Sequence, residues 1–325
     1  MTPTGEPHRE PSFTVVMPVF NARRYLPLTI PPLLEAIRGA EAHLVVMDNG
    51  STDGSLEWLR ENAGEAQVHD APDLTIGALR NRGAEQGTNA VLSFIDADCV
   101  VPPDYFDRIR DVLHSSGAES VGCTYALPDD PLWIEEDWQA LNEVGGGREN
   151  GPVEWVPAGN FACMRSAFEA VGGFDEALVT GEDAELCLRL RQAGFTVWQS
   201  WRIEAKHLGN PKTLTGFFRK QRWHALGMFG TARRQLLDKP TILMFVHLFA
   251  TMAGIVAMIV FGGWAGLGLL ITLTLLAPAI AVLFRRIHSF RPRSVPRALL
   301  LFHLYLDARI AALWRILTGR ARLRS

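Results

Sequence analysis

The sequence predicts an α/β domain built on a Rossmann-like, mostly parallel sheet, followed by a transmembrane helical hairpin and an amphipathic helix. Three observations carry this. Short apolar runs ending in polar turn residues alternate with helix-like segments over the first two thirds of the chain. A stretch of 44 residues, Thr241 to Phe284, holds no charged side chain, and beyond it apolar and charged residues interleave.

Phe13 to Phe20 is a short apolar run interrupted by Pro18, which reads as a buried strand stopping at a loop. A helix is expected from about Leu26 to Arg38. His43 to Met47 is the next strand, ending at Asp48-Asn-Gly-Ser-Thr-Asp-Gly-Ser55, where turn residues lead into an N-cap and a helix through Leu59. In that turn Asp53 and the adjacent glycines are read as shaping the bend and capping the helix. Val91 to Ile95 is a further buried strand, ending in Asp96-Ala-Asp98, and Thr196 to Arg202 is read as a strand after a helix-like stretch from Ala184 to Gln192. In a sheet of this kind ligands sit outside the carboxyl ends of the strands, where these polar residues accumulate. Residues 12–230 are therefore assigned to the α/β domain, divided near 124, and residues 1–11 to a flexible tail.

The uncharged stretch would be roughly 66 Å long as a single helix, about twice the ~30 Å hydrocarbon core of a bilayer. It must fold back, and Gly262-Gly263 supplies the turn between Thr241–Phe261 and Trp264–Phe284, with residues 231–240 as the approach. Arg233, Arg234 and Lys239 precede the pair and Arg285, Arg286, Arg291, Arg293 and Arg297 follow it, which places both ends on the cytosolic side. His247 and Pro278 within it are read as packing or kink residues. Across residues 285–325, Leu299, Phe302, Leu306, Ile310, Leu313 and Leu317 alternate with Asp307, Arg309 and Arg315. Those charges make a third span costly, so an interfacial helix is expected, with packing against the hairpin as the alternative.

The charge distribution fits that plan. The overall −3 conceals a tail after Lys239 with ten arginines against the single Asp307, so the tail carries +9 and the preceding residues −12. An acidic front and a basic, apolar back point to an enzyme attached to an anionic membrane, with no nucleic-acid partner. Cys99, Cys123, Cys163 and Cys187 are widely spaced and form no Cys-x-x-Cys pair, so they suggest neither a zinc site nor a disulfide framework, and a reducing cytosol fits best. The first dozen residues lack the apolar core of a secretory signal, so the front domain is expected inside the cell.

Asp96 and Asp98, two apart at a strand end, suit a hard divalent ion shared with a diphosphate. The ordered set Val15-Val-Met-Pro-Val-Phe-Asn21, Asp48-Asn-Gly-Ser-Thr-Asp-Gly54, Gly77-Ala-Leu-Arg-Asn-Arg-Gly83, Phe94-Ile-Asp-Ala-Asp98, Gly172-Gly-Phe-Asp-Glu176 and Gly181-Glu-Asp-Ala-Glu185 resembles glycosyltransferase family 2. The resemblance implies a GT-A fold and an inverting transfer from a nucleotide diphosphate sugar, uridine being the implied base. It implies that Pro18, Val19 and Asp48 surround the base and that Arg80 and Asn81 lie near the nucleotide. Asp96 would contact the ribose or metal, and Asp98 would bind Mg2+ or Mn2+ with His207 completing the site. Asp183 would be the general base. Glu182 would orient the acceptor or its loop, or simply favour the helix dipole. Trp155 and Gly159-Asn160-Phe161 would line the acceptor pocket, or serve as turn and core residues.

Arg219-Lys-Gln-Arg-Trp223 resembles the Gln-x-x-Arg-Trp element of processive members, with Arg219 where glutamine is expected; Arg222 and Trp223 could clamp a diphosphate and stack an acceptor sugar. The expectation is single-sugar transfer to a membrane-associated lipid or lipid-linked saccharide at the cytosolic face of a cell membrane, the bacterial inner membrane by this reading. A small processive polysaccharide synthase and a catalytically silent scaffold or sugar-nucleotide sensor are the alternatives.

Overall fold

The computed structural model describes residues 12–142, 150–227, 239–287 and 294–319. The tail at 1–11, the arginines at 233, 234, 291 and 293 and the last residues from 320 lie outside the described residues, so the expectations placed on them are not taken further.

The described chain falls into two compact units: residues 1–128, 148–178 and 182–209, and residues 129–147, 179–181 and 210–325. Helices on either side of 210 thus group differently, and the helix that carries Arg222 belongs with the C-terminal helices.

In the first unit the order is β1 (Phe13–Val19), α1 (Leu26–Arg38), β2 (Ala42–Asp48), α2 (Ser55–Asn62), β3 (Gln67–Asp70), α3 (Ile76–Glu85), β4 (Val91–Ile95), β5 (Cys99–Val100), α4 (Tyr105–Ser116) and β6 (Ser120–Gly122). The chain leaves for α5 (Trp133–Asn142) of the second unit. It returns through β7 (Gly151–Pro152), β8 (Asn160–Met164), α6 (Arg165–Ala170), α7 (Glu182–Gln192), β9 (Val197–Gln199), a short 3-10 turn (Trp201–Ile203) and β10 (Lys206–His207).

The large sheet runs β3-β2-β1-β4-β8-β6-β9-β7. Its first four strands are parallel, and β1 and β4 are buried at every position, as strands covered on both faces must be. β8 then inserts antiparallel between β4 and β6. One face holds Val15, Met17, Leu26, Ile30, Leu33 and Ile109, and the other Val16, Phe94, Phe161, Phe168 and Leu190. All four cysteines are buried and form no disulfide, and burial raises the Cys163 and Cys187 thiols, which keeps them protonated and unreactive. The expected strand at Thr196 to Arg202 is shorter than its apolar pattern, because Ser200 accepts a hydrogen bond from the Arg202 amide and starts the 3-10 turn.

The second unit is helical: α5, α8 (Leu214–Gly227), α9 (Lys239–Phe261), α10 (Gly263–Ile287) and α11 (Val295–Leu317). α9 and α10 are long and apolar enough to cross a membrane, and they turn at Gly262 and Gly263, both left-handed with φ of 58° and 49°. Gly254 meets Leu270 and Gly266 meets Met258, positions where an added Cβ would press on the facing helix, so small residues let the two backbones approach. Their outer side chains, including Phe249, Ile259, Phe261 and Leu283, are exposed. A soluble core hairpin would bury them. Leu306 of α11 packs with Met244 and Ala277, and Leu301 and Phe302 pack with Val282, Ile134 and Phe217. This is packing against the hairpin, the alternative to an interfacial position.

Candidate active site

β4 ends at Asp96, whose amide donates to the Gly159 carbonyl at 3.1 Å and whose own carbonyl closes a turn by accepting from Cys99. That turn aims two carboxylates off the strand end. Asp96 Oδ1 accepts from Arg80 Nη2 at 2.8 Å, and Tyr125 donates its hydroxyl to Asp96 Oδ2 at 3.4 Å. Asp98 faces β10: its Oδ2 is 3.4 Å from His207 Nε2, and its carbonyl accepts from the Leu208 amide at 2.8 Å. The Tyr125 and His207 rings are 4.6 Å apart, which joins the two carboxylates into one cluster.

Arg80, on α3, is the hub. Its side chain is 2% exposed, and its other Nη donates to Glu182 Oε1 at 2.6 Å. Neighbouring Asp96, Glu182 and Asp183 hold this buried guanidinium in its charged form against the cost of desolvation. The family resemblance puts this arginine beside the nucleotide; here the guanidinium bridges the carboxylate of one strand end to the first turn of α7. Asn81 turns the other way, donating to the Phe174 carbonyl and Glu176 Oε1 and accepting from the Phe174 amide, so it clamps the Gly172–Glu176 turn. Gly173 has φ of 70° in that turn and leaves no room for a Cβ beside Asn81 Oδ1.

α7 begins at Glu182, two residues earlier than its apolar pattern indicates, so Glu182 and Asp183 occupy its first turn. Asp183 Oδ1 accepts from the Ala184 amide at 2.8 Å. Burial and then the adjacent Glu182 charge push the Asp183 carboxyl up to about 6, against the opposing pull of Arg80. A carboxylate with such a value is suited to accept a proton near neutrality.

At the other strand ends, Val19 pairs with Asp48 across β1 and β2, and Pro18 is buried with it. Asp48 is fully buried; Oδ1 accepts from the Ser51 amide at 2.8 Å, while Oδ2 has no protein partner. Asp53 does serve the turn, accepting from Ser55 and from the Arg23 amide.

Asn160 is committed elsewhere. It is fully buried, accepts from Tyr105 at 2.6 Å and donates to the Cys123 and Ile203 carbonyls, which makes it a core pin under the sheet. Trp155 lies on the same unit and is half exposed. Arg222 and Trp223 lie half-buried on α8 of the second unit, Trp223 against the His224 ring.

Sequence reading passed over Tyr125 and Gly209, and it read Gly159 only as part of an acceptor-pocket or turn segment. A Cβ at Gly159 would overlap Asp96 Oδ2 and the Tyr125 hydroxyl, and one at Gly209 would overlap Asp98 Oδ2. Both glycines let the backbone approach a carboxylate; neither sits in a motif that announces it. Three carboxylates, Asp96, Glu182 and Asp183, thus surround a single arginine, with Asp98 beside His207, and a bound cation would offset the remaining negative charge. The donor set of Asp96, Asp98 and the His207 imidazole fits Mn2+ or Mg2+.

Residues 14–172 match the family model described as Glycosyl transferase family 2. The succinoglycan biosynthesis protein ExoA of Rhizobium meliloti is 33% identical over 200 residues, covering 58% of this chain and 61% of that protein. An undecaprenyl-phosphate 4-deoxy-4-formamido-L-arabinose transferase of Pectobacterium atrosepticum is 32% identical over 141 residues, 40% of this chain and 41% of its own. The chain therefore spans only about half the length of the curated relatives it matches. The mannosyltransferase PcManGT from Pyrobaculum calidifontis, solved with GDP-Man and Mn2+, superposes with a TM-score of 0.58 at 16% identity over 97% of this chain and 89% of that one, a likeness of fold.

Proposed function

The chain belongs to glycosyltransferase family 2 through its domain at residues 14–172, and from that premise we propose that it moves one sugar from a nucleotide diphosphate sugar to a hydroxyl of a membrane-associated lipid or lipid-linked saccharide. The observation that carries this is the pairing, through Arg80, of the Asp96 carboxylate with the turn that presents Asp183.

Asp48 Oδ2, buried and without a protein partner, is the acceptor for a base N–H such as that of uracil. Asp98, Asp96 and His207 would hold Mg2+ or Mn2+, which when bound supplies Lewis-acid stabilisation of the charge on the departing diphosphate. Asp183 takes the proton of the acceptor hydroxyl as that oxygen attacks the anomeric carbon. The bond from that carbon to the diphosphate breaks on the opposite face, the nucleoside diphosphate leaves with the electron pair, and configuration inverts. Glu182, held by Arg80, keeps the first turn of α7 in place. The hairpin α9–α10 anchors the enzyme in the membrane where its acceptor resides, its flanking Lys239, Arg285, Arg286 and Arg297 on the cytosolic side. The undecaprenyl-phosphate transferase among its relatives and the exposed apolar flanks of the hairpin support a lipid acceptor.

The test is a transfer assay on membranes containing the chain, with labelled nucleotide sugars, Mn2+ or Mg2+ and lipid extraction. Asp183→Asn should lower turnover about 100- to 10,000-fold while donor binding persists. Asp98→Ala should abolish metal-dependent nucleotide release. Undiminished turnover in either variant would contradict the role assigned to it.

A further inference from the structure

Away from the sheet, the helical unit holds a second constellation. His247 of α9 and His303 of α11 both direct Nε2 at the Asp307 carboxylate, at 3.0 Å to Oδ1 and 3.2 Å to Oδ2. Their rings are 5.1 Å apart and perpendicular. His303 and Asp307 share one face of α11, four residues apart, and His247 reaches them from a helix 56 residues earlier in the chain.

We propose that His247, His303 and Asp307 form a binding site for a divalent transition-metal ion of the zinc class. The three ligating atoms lie within 4.8 Å of one another. Ligands of a tetrahedral zinc ion at roughly 2.0–2.1 Å are about 3.3 Å apart, so each imidazole already stands at about that spacing from one oxygen of Asp307, and the three-atom set has to draw in from within 4.8 Å. Two imidazoles and one carboxylate are the donors that favour zinc, copper or iron over magnesium, which separates this site chemically from the carboxylate cluster on the sheet.

Nδ1 of both histidines is buried without a partner, so the triad is held through Nε2 alone. His247 is 1% exposed, whereas Asp307 is 39% exposed, which leaves one side open for entry and for a fourth, non-protein ligand. Leu306, Met244 and Ala277 close the remainder in apolar contact. The nearby cation, Arg309, is turned toward Tyr305 and Thr241. The ion would tie α11 to the hairpin, and this holds or fails independently of the transferase reading.

The experiment uses untagged full-length chain carrying Asp98→Ala, purified in detergent, stripped with chelator and titrated with Zn2+ alone against a chromophoric chelator. One equivalent should bind tightly. His303→Gln or Asp307→Asn added to that background should weaken it about 100-fold or more. Because a variant could fail to fold, Co2+ is also added to the protein with all three ligands intact, where four- or five-coordinate visible absorption bands should appear and vanish on addition of Zn2+. No tight equivalent, the same affinity in the His303 and Asp307 variants, or octahedral Co2+ absorption would each overturn the proposal, leaving a hydrogen-bonded triad only.

Discussion

Two polar clusters among the described residues are built from opposite materials. On the sheet, a permanently charged guanidinium is shared by two carboxylates at 2.6 and 2.8 Å, with a third carboxylate nearby. In the helical unit, one carboxylate is shared by two imidazoles. The first is an ionic knot in which each member needs the others, since a lone buried charge is costly. The second is a looser set in which either imidazole can be exchanged for an apolar group while Asp307 keeps the other. Burial alone therefore does not say how much a polar residue matters; the charge left behind does.

Breaking the ionic knot should have the largest effect. Arg80→Met leaves Asp96 and Glu182 unpaired and should cost about 3–5 kcal/mol, read as a lowered denaturant midpoint of the solubilised chain. Arg80→Lys should recover only part, because an ammonium lacks the planar fork that reaches both carboxylates.

Titration sharpens the contrast next. The Asp183 carboxyl is raised from 3.8 to about 6 in the folded chain, so between those values the native state keeps a proton the unfolded state has lost. The stability that this protonation contributes is fully present below about pH 3.8 and is lost as pH rises through about 6. Transfer activity, which needs the ionised base, should rise through the same window. Melting temperatures of wild type and Asp183→Asn should converge at the acid end and separate toward neutrality, with the asparagine variant the more stable.

The smallest effect belongs to the helical cluster. In the absence of metal, His247→Leu should change stability by about 1 kcal/mol or less in the same denaturation assay, because Asp307 keeps His303 and a partly open surface. A loss as large as that of Arg80→Met would erase the distinction between the two clusters.

Local pattern made the first half of the fold legible. α1 spans Leu26–Arg38 and β4 spans Val91–Ile95, the residues their periodicity indicates, and Gly262-Gly263 marks the observed turn. The acidic strand end at Asp96 and Asp98 was legible for the same reason: an apolar run stops and carboxylates follow. What pattern does not carry is direction over distance. Arg80 reads as a cation for a ligand until Glu182, 102 residues later, is seen to hold it. Asn160 reads as a pocket residue until Tyr105, Cys123 and Ile203 are found to use its whole amide. His247 reads as a lone polar residue in an apolar span, and its partner lies 60 positions on. The antiparallel insertion of β8 is likewise invisible, since a short apolar run such as Phe161–Met164 looks the same whichever way the strand runs.

The pair of left-handed glycines at the tip of the hairpin carries a last implication. With Gly262 and Gly263 as the entire connection, a chain inserted through a bilayer would offer the outer compartment little besides Phe261 and Trp264. Proteases and impermeant labels applied from the side of that tip would find almost no peptide to attack at the bend.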